Sequence, residues 1–508
     1  MDRIEAKQAI TNLPEVLDQD KEPQRKREGI LWIVSFVVLT LVVGGYFGYT
    51  AWDSRHDETL GNPCSKFGDT WILTLCNSGT SFLNDVTVTP DGQIIAVGAT
   101  TGDGGDFASR GSEGEFKGLK VLVSGSEATW ELVPYGKYLR LDSIPDGTIG
   151  TIGQEAHDGQ PIAILEWAHL TDRNLPQAQI LEDGLSWNAI AAGPDSSFVV
   201  VGTKANTTTV TPEDADNSTT STVDPDDTAK SILVVRKHPA YGDEYSWERK
   251  FTDQFPHWIS TSDVAVDADS NIYITGSAYS NWGATSALIK LDPQGEMVWG
   301  TPFFIFDMEF AESIESALED VRDSESATIE ISGMFTDESG EVSSVFYDTS
   351  DTYTAVEILP DGDIVAVGYR SLTTGERQGM LTRFSSSGEE KWMRSTGGDG
   401  HDYFNDLVVT SYGDIIAIGA TGVPDSPGEG LPAGDAWVVG YSSVGNELWS
   451  RIYGGSGSDV FLGASITPQG QILAVGYTTS TDGNLKSTYG QDAALMVRLD
   501  QRGELIPM

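Results

Sequence analysis

Gly454 to Gly463 reads GGSGSDVFLG, which fits G-G-x-G-x-D-x-U-x, the nonapeptide that binds Ca²⁺ when successive copies stack turn upon turn. A second copy, GGDGHDYFND, begins at Gly397, and a worn one, CNSGTSFLND, at Cys76. Asp399, Asp402 and Asp459 supply the hard oxygens that Ca²⁺ prefers. Each copy nevertheless brings few ligands, and the two good copies lie 57 residues apart, so neither has a neighbouring turn to share an ion with. The same residue types have a mechanical use. Glycine lets the chain turn sharply, and an aspartate can clamp the turn by accepting nearby backbone N–H groups. Two readings therefore stand, Ca²⁺ held by Asp399, Asp402 and Asp459, or a turn clamp, and the ligand count favours the clamp.

Other chemistry is not signalled. The six histidines, His56, His157, His169, His238, His257 and His401, show no metal-binding spacing; there is no G-x-S-x-G elbow and no phosphate loop. No catalytic residue and no organic cofactor is nominated. His401, inside a glycine-aspartate junction, reads as a solvated loop histidine ahead of a ligand or base. The many carboxylates could include a glycosidase pair, but their separation is not legible in a sequence.

The elements that position these residues come next. Thirty-one basic residues against 76 acidic ones give a net charge of −45 over 508 residues. Such a surface repels nucleic acid and anionic lipid headgroups, because both are bound through Lys and Arg that displace counterions. One segment breaks the acidic pattern. Ile30 to Trp52 holds 23 residues without a charge, preceded by Arg25, Lys26 and Arg27 and followed by Asp53, Asp57 and Glu58. That length spans a hydrocarbon core, and the flanking charges place the first 29 residues in the cytoplasm. The expected organisation is a leader over 1–29, a transmembrane helix over 30–52, a spacer over 53–66 and an extracellular or periplasmic domain over 67–508. The two cysteines, Cys64 and Cys76, fall on the exported side, where an oxidising compartment favours a disulfide between them.

The exported part repeats. Trp449 to Gly476, Trp392 to Gly419 and Trp71 to Gly98 align throughout, with Trp and Gly 27 residues apart in each. Weaker echoes end at Gly153, Gly202, Gly276 and Gly368, and a degenerate eighth at Gly333. Each unit reads as four short strands, a to d: a V-x-V-like strand a, a Pro-Asp-Gly type of turn, an apolar strand b, a variable loop, strand c, a Gly-Glu or Gly-Asn turn, and strand d opening on Trp. Strand b is apolar on both faces and must be covered on both sides. Radially stacked blades meet that demand. The last unit stops at Met508 where its strand d should begin, and the first is preceded by an orphan strand d, Trp71 to Leu75. Pairing the orphan with Met496 to Leu499 would close a ring and remove two exposed edges. Eight strand-b glycines suggest eight blades, although the 35 residues between Gly333 and Gly368 are short for a unit and leave seven as the alternative.

The Gly-Gly-x-Gly-x-Asp junctions, Pro-Asp-Gly-x-Ile-x-x-x-Gly, Asp-Ala at Asp435 and Asp492, and Gly-Glu/Asn followed by Trp resemble the bacterial β-propeller repeat family of exported and surface proteins. The likeness covers roughly residues 66 to 508 and is strongest in the last two units. It implies an all-β propeller acting as a non-catalytic surface module. The Trp after each c–d turn is similar to the docking tryptophan of quinoprotein-type propellers, and blade packing rather than a carbohydrate platform is its expected role.

In such a ring the d–a junctions and b–c loops share one face and the tight a–b and c–d turns the other. Every long excursion, Gly102 to Gly118, Lys204 to Lys230, Gly422 to Asp435 and Thr478 to Gln491, is then on the first face. Asn206 and Asn217 in the second excursion fit the glycosylation sequon. The functional expectation is a membrane-anchored binding or scaffold module whose loop-rich face meets a surface protein or glycan. The alternative is an envelope glycan hydrolase or lyase using carboxylates on that face.

Overall fold

The computed structural model of the chain describes residues 70–507, apart from 76–78, 102–115, 125–126, 134–136, 158–159, 170–177, 206–230, 241–243, 252–258, 281–282, 302–350, 373, 425–433 and 486–491. The leader, the apolar segment 30–52, Cys64, Cys76, Asn206, Asn217 and Gly333 lie outside the described residues.

Within them the chain forms 28 strands in seven antiparallel four-stranded sheets. Each sheet is a blade, with strand a innermost. The inner strands are Ser81–Val88, Lys137–Ser143, Leu185–Ala192, Ile259–Val266, Thr352–Ile358, His401–Val409 and Asp459–Ile466, for blades 1 to 7 in turn. Each touches the inner strand of the blade before and after it, blade 7 against blade 1 included, so the ring is closed. Blades 4 and 5 are direct neighbours. That leaves no place in the ring for an eighth unit, and of the two counts open to the sequence it is seven that the fold adopts.

Closure takes the expected form. Ile72–Leu75 forms the outer strand of blade 7 beside Ala493–Leu499, with Ile72 opposite Val497, Leu73 opposite Met496 and Leu75 opposite Ala494. Trp71 N–H donates to Ile506 O at 2.8 Å and Arg498 N–H to Trp71 O at 3.1 Å, extending the seam past the strand ends.

Strand b is buried along its length, as in Ile94–Thr100 and Ile364–Ser371. Adjacent blades share its side chains: Val365, Val367 and Leu381 of blade 5 pack with Phe404, Ile415, Ala417 and Trp437 of blade 6. Phe404 and Trp437 stack at 4.8 Å between centroids.

One irregularity recurs in all seven blades. Strand a bulges at Asn84, Leu139, Asn188, Ser262, Thr354, Asn405 and Leu462, which are skipped in the pairing with strand b. A bulge puts an extra residue on one strand and re-aims those beside it. The residue of strand b facing it is always the glycine that ends the sequence repeat, and a Cβ there would run into the strand-a carbonyl, 1.9 Å from Thr352 O at Gly368 and 2.0 Å from Phe82 O at Gly98. The glycine that marks each unit is therefore required by close backbone approach.

Candidate functional site

The glycine-aspartate junctions face the loop-rich side. Before blade 7, six consecutive backbone N–H groups turn onto the protein's own acceptors. Gly454 N–H donates to Asn484 Oδ1 at 2.8 Å, Gly455 to Asp459 Oδ2 at 3.1 Å and Ser456 to Asp482 Oδ1 at 2.6 Å. Gly457 donates to Ser480 Oγ at 2.9 Å, Ser458 to Thr479 Oγ1 at 2.6 Å and Asp459 to Gly434 O at 2.8 Å. Ser480 Oγ–H also donates to Asp459 Oδ2 at 2.6 Å. Before blade 6, buried Asp402 takes Gly398 N–H on Oδ2 at 2.7 Å, and Gly422 N–H at 3.0 Å with the Thr421 hydroxyl on Oδ1. Asp399 is exposed in the same turn.

These turns present donors inward, the arrangement that suits an anion, and carboxylates fill it. Asp402 is engaged on both oxygens, whereas Asp459 is engaged on Oδ2 and its buried Oδ1 makes no hydrogen bond. Among the described residues no group of three His, Cys, Asp or Glu side chains is placed to hold a metal ion. The geometry is that of the turn clamp. His401 Nδ1 accepts the Arg377 backbone N–H at 3.1 Å, which puts any ring proton of the neutral form on Nε2.

The repeat's tryptophans are outer fasteners. Four of them reach the c–d turn of the next blade, so that a Cβ on the turn glycine would lie 2.8 Å from Trp247 at Gly295, 3.0 Å from Trp299 at Gly388, 3.1 Å from Trp392 at Gly445 and 2.6 Å from Trp449 at Gly503. An arginine two residues on, Arg249, Arg394 or Arg451, lies over its own tryptophan and bonds the same turn. Arg249 meets Glu296 at 3.1 Å, Arg451 meets Glu504 at 2.7 Å, and Arg394 Nε–H donates to Gly445 O at 3.2 Å.

Sequence reasoning missed the inner fasteners. At the bulge, Asn84 Nδ2 donates to Tyr138 O of the next blade at 2.8 Å, Asn188 Nδ2 to Thr261 O at 2.9 Å, Thr354 Oγ1 to Phe404 O at 2.8 Å and Asn405 Nδ2 to Phe461 O at 2.7 Å. One or three residues further on, a carboxylate accepts an N–H from the next blade: Leu141 to Asp85 at 3.0 Å, Ala192 to Asp142 at 2.7 Å, Val356 to Asp263 at 2.9 Å and Ala464 to Asp406 at 2.7 Å. Every junction from blades 1–2 to blades 6–7 carries at least one such bond. At blades 7–1, Gly463 instead lets the backbones approach, its Cβ position being 2.5 Å from Asn84 O, and Ser81 N–H donates to Asp492 O at 2.9 Å. A signal existed in the repeat: Asn84-Asp85, Ser262-Asp263 and Asn405-Asp406 occupy one register of strand a.

These inner-strand carboxyls, with Glu357, are recessed in the ring around one guanidinium. Burial pushes Asp85 up to about 8, tempered by Arg140, while Asp406 adds to the rise. Asp263 goes up to about 7 for the same reasons, and burial also raises Asp142 and Asp406. Glu357 is pushed up to about 8 by burial and then by Asp263. Burial opposes the charge on Arg140, but Asp85, Asp406 and Asp263 outweigh it and raise the guanidinium. At the tight-turn side a cavity of about 480 Å³ is lined by the turns of blades 1, 2, 6 and 7, including Pro90, Ile144, Pro145, Thr410, Ile466 and Pro468. This cavity is on the face opposite to the one expected from loop lengths.

No protein-family profile and no curated protein sequence matches the chain. Among solved structures it is similar to a puromycin hydrolase mutant complexed with PGG, at 12% identity and a TM-score of 0.43, over 84% of this chain and 53% of that one. It is similar to the β-propeller domain of the Trilobed protease from Pyrococcus furiosus at 10% identity and a TM-score of 0.40, over 83% and 96% of the two chains. A Hadza microbial sialidase matches at 8% identity and a TM-score of 0.38, over 77% and 74%. The chain thus spans about half the length of the puromycin hydrolase, and at these identities the likenesses carry no argument about function.

Proposed function

We propose that the chain is a non-catalytic binding or scaffold module, a rigid propeller carried outside the cell on the apolar segment 30–52 and meeting a surface protein or glycan through its loop-rich face. The observation that carries this reading is the use to which the repeated polar residues are put. Asp402 and Asp459 clamp junction turns, Asp85, Asp142, Asp263 and Asp406 fasten neighbouring inner strands, and the Trp-x-Arg pairs fasten the outer turns. Carboxylates already holding backbone donors are poor candidates for general acid or base work, which needs a group free to reach the reacting proton. What varies from blade to blade is the set of b–c loops, and variable loops on a rigid frame suit recognition.

The test uses the full chain in lipid nanodiscs, offered to a glycan panel and to solubilised envelope proteins, beside a variant lacking 206–230. Partner capture without turnover, weakened by the deletion, is the expected result. Glycan turnover that survives the deletion and disappears in Asp263→Asn or Asp406→Asn, in variants whose unfolding midpoints show the ring intact, would replace this reading with the hydrolase.

A further inference from the structure

We propose that blade 6 rests on the lipid bilayer through Tyr412, Val444 and Leu448 on the tight-turn face, holding the ring with its loop-rich face turned away from the membrane. This deepens the reading above and rests on it, because the bilayer in question is the one that segment 30–52 would cross.

The path of the chain selects the face. In each blade strands a and c run toward the tight turns, and strands b and d run away from them. Ile72–Leu75 is the strand d of blade 7, so it begins at the tight-turn face, where Thr70 bridges to Pro507 and Trp71 N–H donates to Ile506 O. The sequence before Thr70 therefore joins the ring on that face, at the blade next to blade 6. Only residues 53–69 separate the apolar segment from Thr70, a tether of at most about 60 Å.

The turns of that face single out blade 6. All seven a–b turns share one register, in which the N–H of the fourth residue donates to the carbonyl of the first. The third residue, at the tip, is Asp91, Asp146, Asp195, Asp269 and Asp361 in blades 1 to 5 and Gln469 in blade 7. In blade 6 it is Tyr412, 83% exposed. The c–d turns repeat the contrast: Gln294, Ser387 and Arg502 hold the tip in blades 4, 5 and 7, whereas Val444, 57% exposed, holds it in blade 6. The two turns of blade 6 touch, since a Cβ on Gly413 would lie 3.7 Å from Ser443 Cβ. Leu448, 53% exposed, follows at the start of strand d.

A tyrosine beside two aliphatic side chains suits the boundary between headgroups and acyl chains. The aspartates at the other tips oppose approach to anionic headgroups, so the ring touches by one edge. The edge that lacks the aspartate is the one beside the tether. A second copy of the chain has no reason to choose that blade, whereas a bilayer is reached most directly there.

The test uses the full chain with Cys64→Ser and Cys76→Ser in phosphatidylcholine nanodiscs, with and without bromine on the acyl chains. A bimane label is carried on Tyr412→Cys, on Val444→Cys, on Asp146→Cys across the ring in blade 2, or on Asp399→Cys on the loop-rich face. An interfacial depth of about 5–10 Å should cost the labels at 412 and 444 about half their emission or more, and those at 146 and 399 little. Adding Tyr412→Asp, the residue of the other blades, should restore emission at 444. Without any label, hydrogen exchange over 442–448 should be several-fold faster in Tyr412→Asp than in wild type in the same nanodiscs, with strand b of blade 6 unchanged. That comparison decides alone if the cysteine-free chain does not fold. Unquenched labels at 412 and 444, equal quenching at 146 and 412, or exchange unmoved by Tyr412→Asp would overturn the proposal. Mutual quenching of two labelled copies in unbrominated discs would overturn it in favour of a dimer. Anchoring is read separately, by flotation of the full chain with liposomes in alkaline carbonate. Flotation without quenching overturns the docking alone, and failure to float overturns the anchor and the docking together.

Discussion

Gly368→Ala puts the bulge geometry to the sharpest trial. The new Cβ would lie 1.9 Å from Thr352 O, 2.9 Å from Thr352 C and 3.0 Å from Tyr353 Cα, all backbone atoms that cannot swing aside as a side chain could. An ordinary carbon–oxygen contact is about 3.3 Å, so strand a of blade 5 must retreat by more than about 1 Å or the bulge must open. Overpacking of this kind costs about 1–3 kcal/mol, sometimes more, and the retreat also strains the Thr354 bond to Phe404 O. Against this, alanine gains about 0.5–1 kcal/mol over glycine in strand conformation. The net expectation is a loss of about 1–3 kcal/mol, read from denaturant midpoints with m held in view, because a ring of repeated blades need not unfold in one step. The control is Gly300→Ala in strand d of blade 4, where the nearest atoms are Ile289 Cγ1 at 3.7 Å and Met297 Sδ at 3.9 Å. That variant should be neutral or slightly stabilised. Equal midpoints for the two would refute the close-approach argument and reduce the repeat glycine to a sequence habit.

His238, fully buried between Trp167 and Tyr245, is pushed down to about 4 by burial and then by Arg236, so its contribution to stability is present above its ordinary value and is lost as pH falls through the interval below. His238→Phe should remove up to about 3 kcal/mol of acid sensitivity in urea midpoints measured between about pH 4 and pH 7, and an unchanged acid limb would count against it. Ser196 and Ser270 adopt φ of 59° and 64° in a–b turns where Gly92 and Gly362 sit in other blades, so Ser270→Gly should raise stability by up to about 1 kcal/mol, with no gain refuting the strain. Asp459→Asn should cost about 1–3 kcal/mol by weakening the turn clamp, while wild-type melting should be the same in chelator and in millimolar Ca²⁺; a calcium-dependent rise lost in the variant would restore the ion site.

The ring and its seam were legible because they rest on long-range repetition. Trp71 to Leu75 and Met496 to Leu499 are fragments of one pattern, and completing it requires them to pair, as they do. The blade count was harder. Gly333 imitates the strand-b ending, and nothing in a single chain distinguishes such a match from a blade unless the neighbours are seen to touch. The inner fasteners were hidden for a different reason. Asn84 and Asp85 look like any polar pair on a strand, and only the bulge, which shifts the pairing between Leu83 and Asp85, turns them toward the next blade. Glu357 has no motif at all, since its raised value comes from burial first and then from Asp263, Asp406 and Asp142, which are distant in sequence.

The two sets of fasteners bear on where function can reside. At the outer edge, Trp449 and Arg451 grip the turn that carries Gly503 and Glu504, so a change in any of them is felt across a blade boundary. At the inner edge, Asn405 and Asp406 do the same to Phe461 and Ala464. Substitutions in the recognisable motifs will therefore register first as stability, and a loss of binding after Asp406→Asn or Trp449→Ala says nothing about contact with a partner unless folding is measured alongside. The stretches of sequence that carry none of these motifs are the ones that do not repeat, above all 206–230 and 425–433. A partner's specificity is best sought there, by exchanging loops while every glycine, tryptophan and aspartate of the frame is left in place.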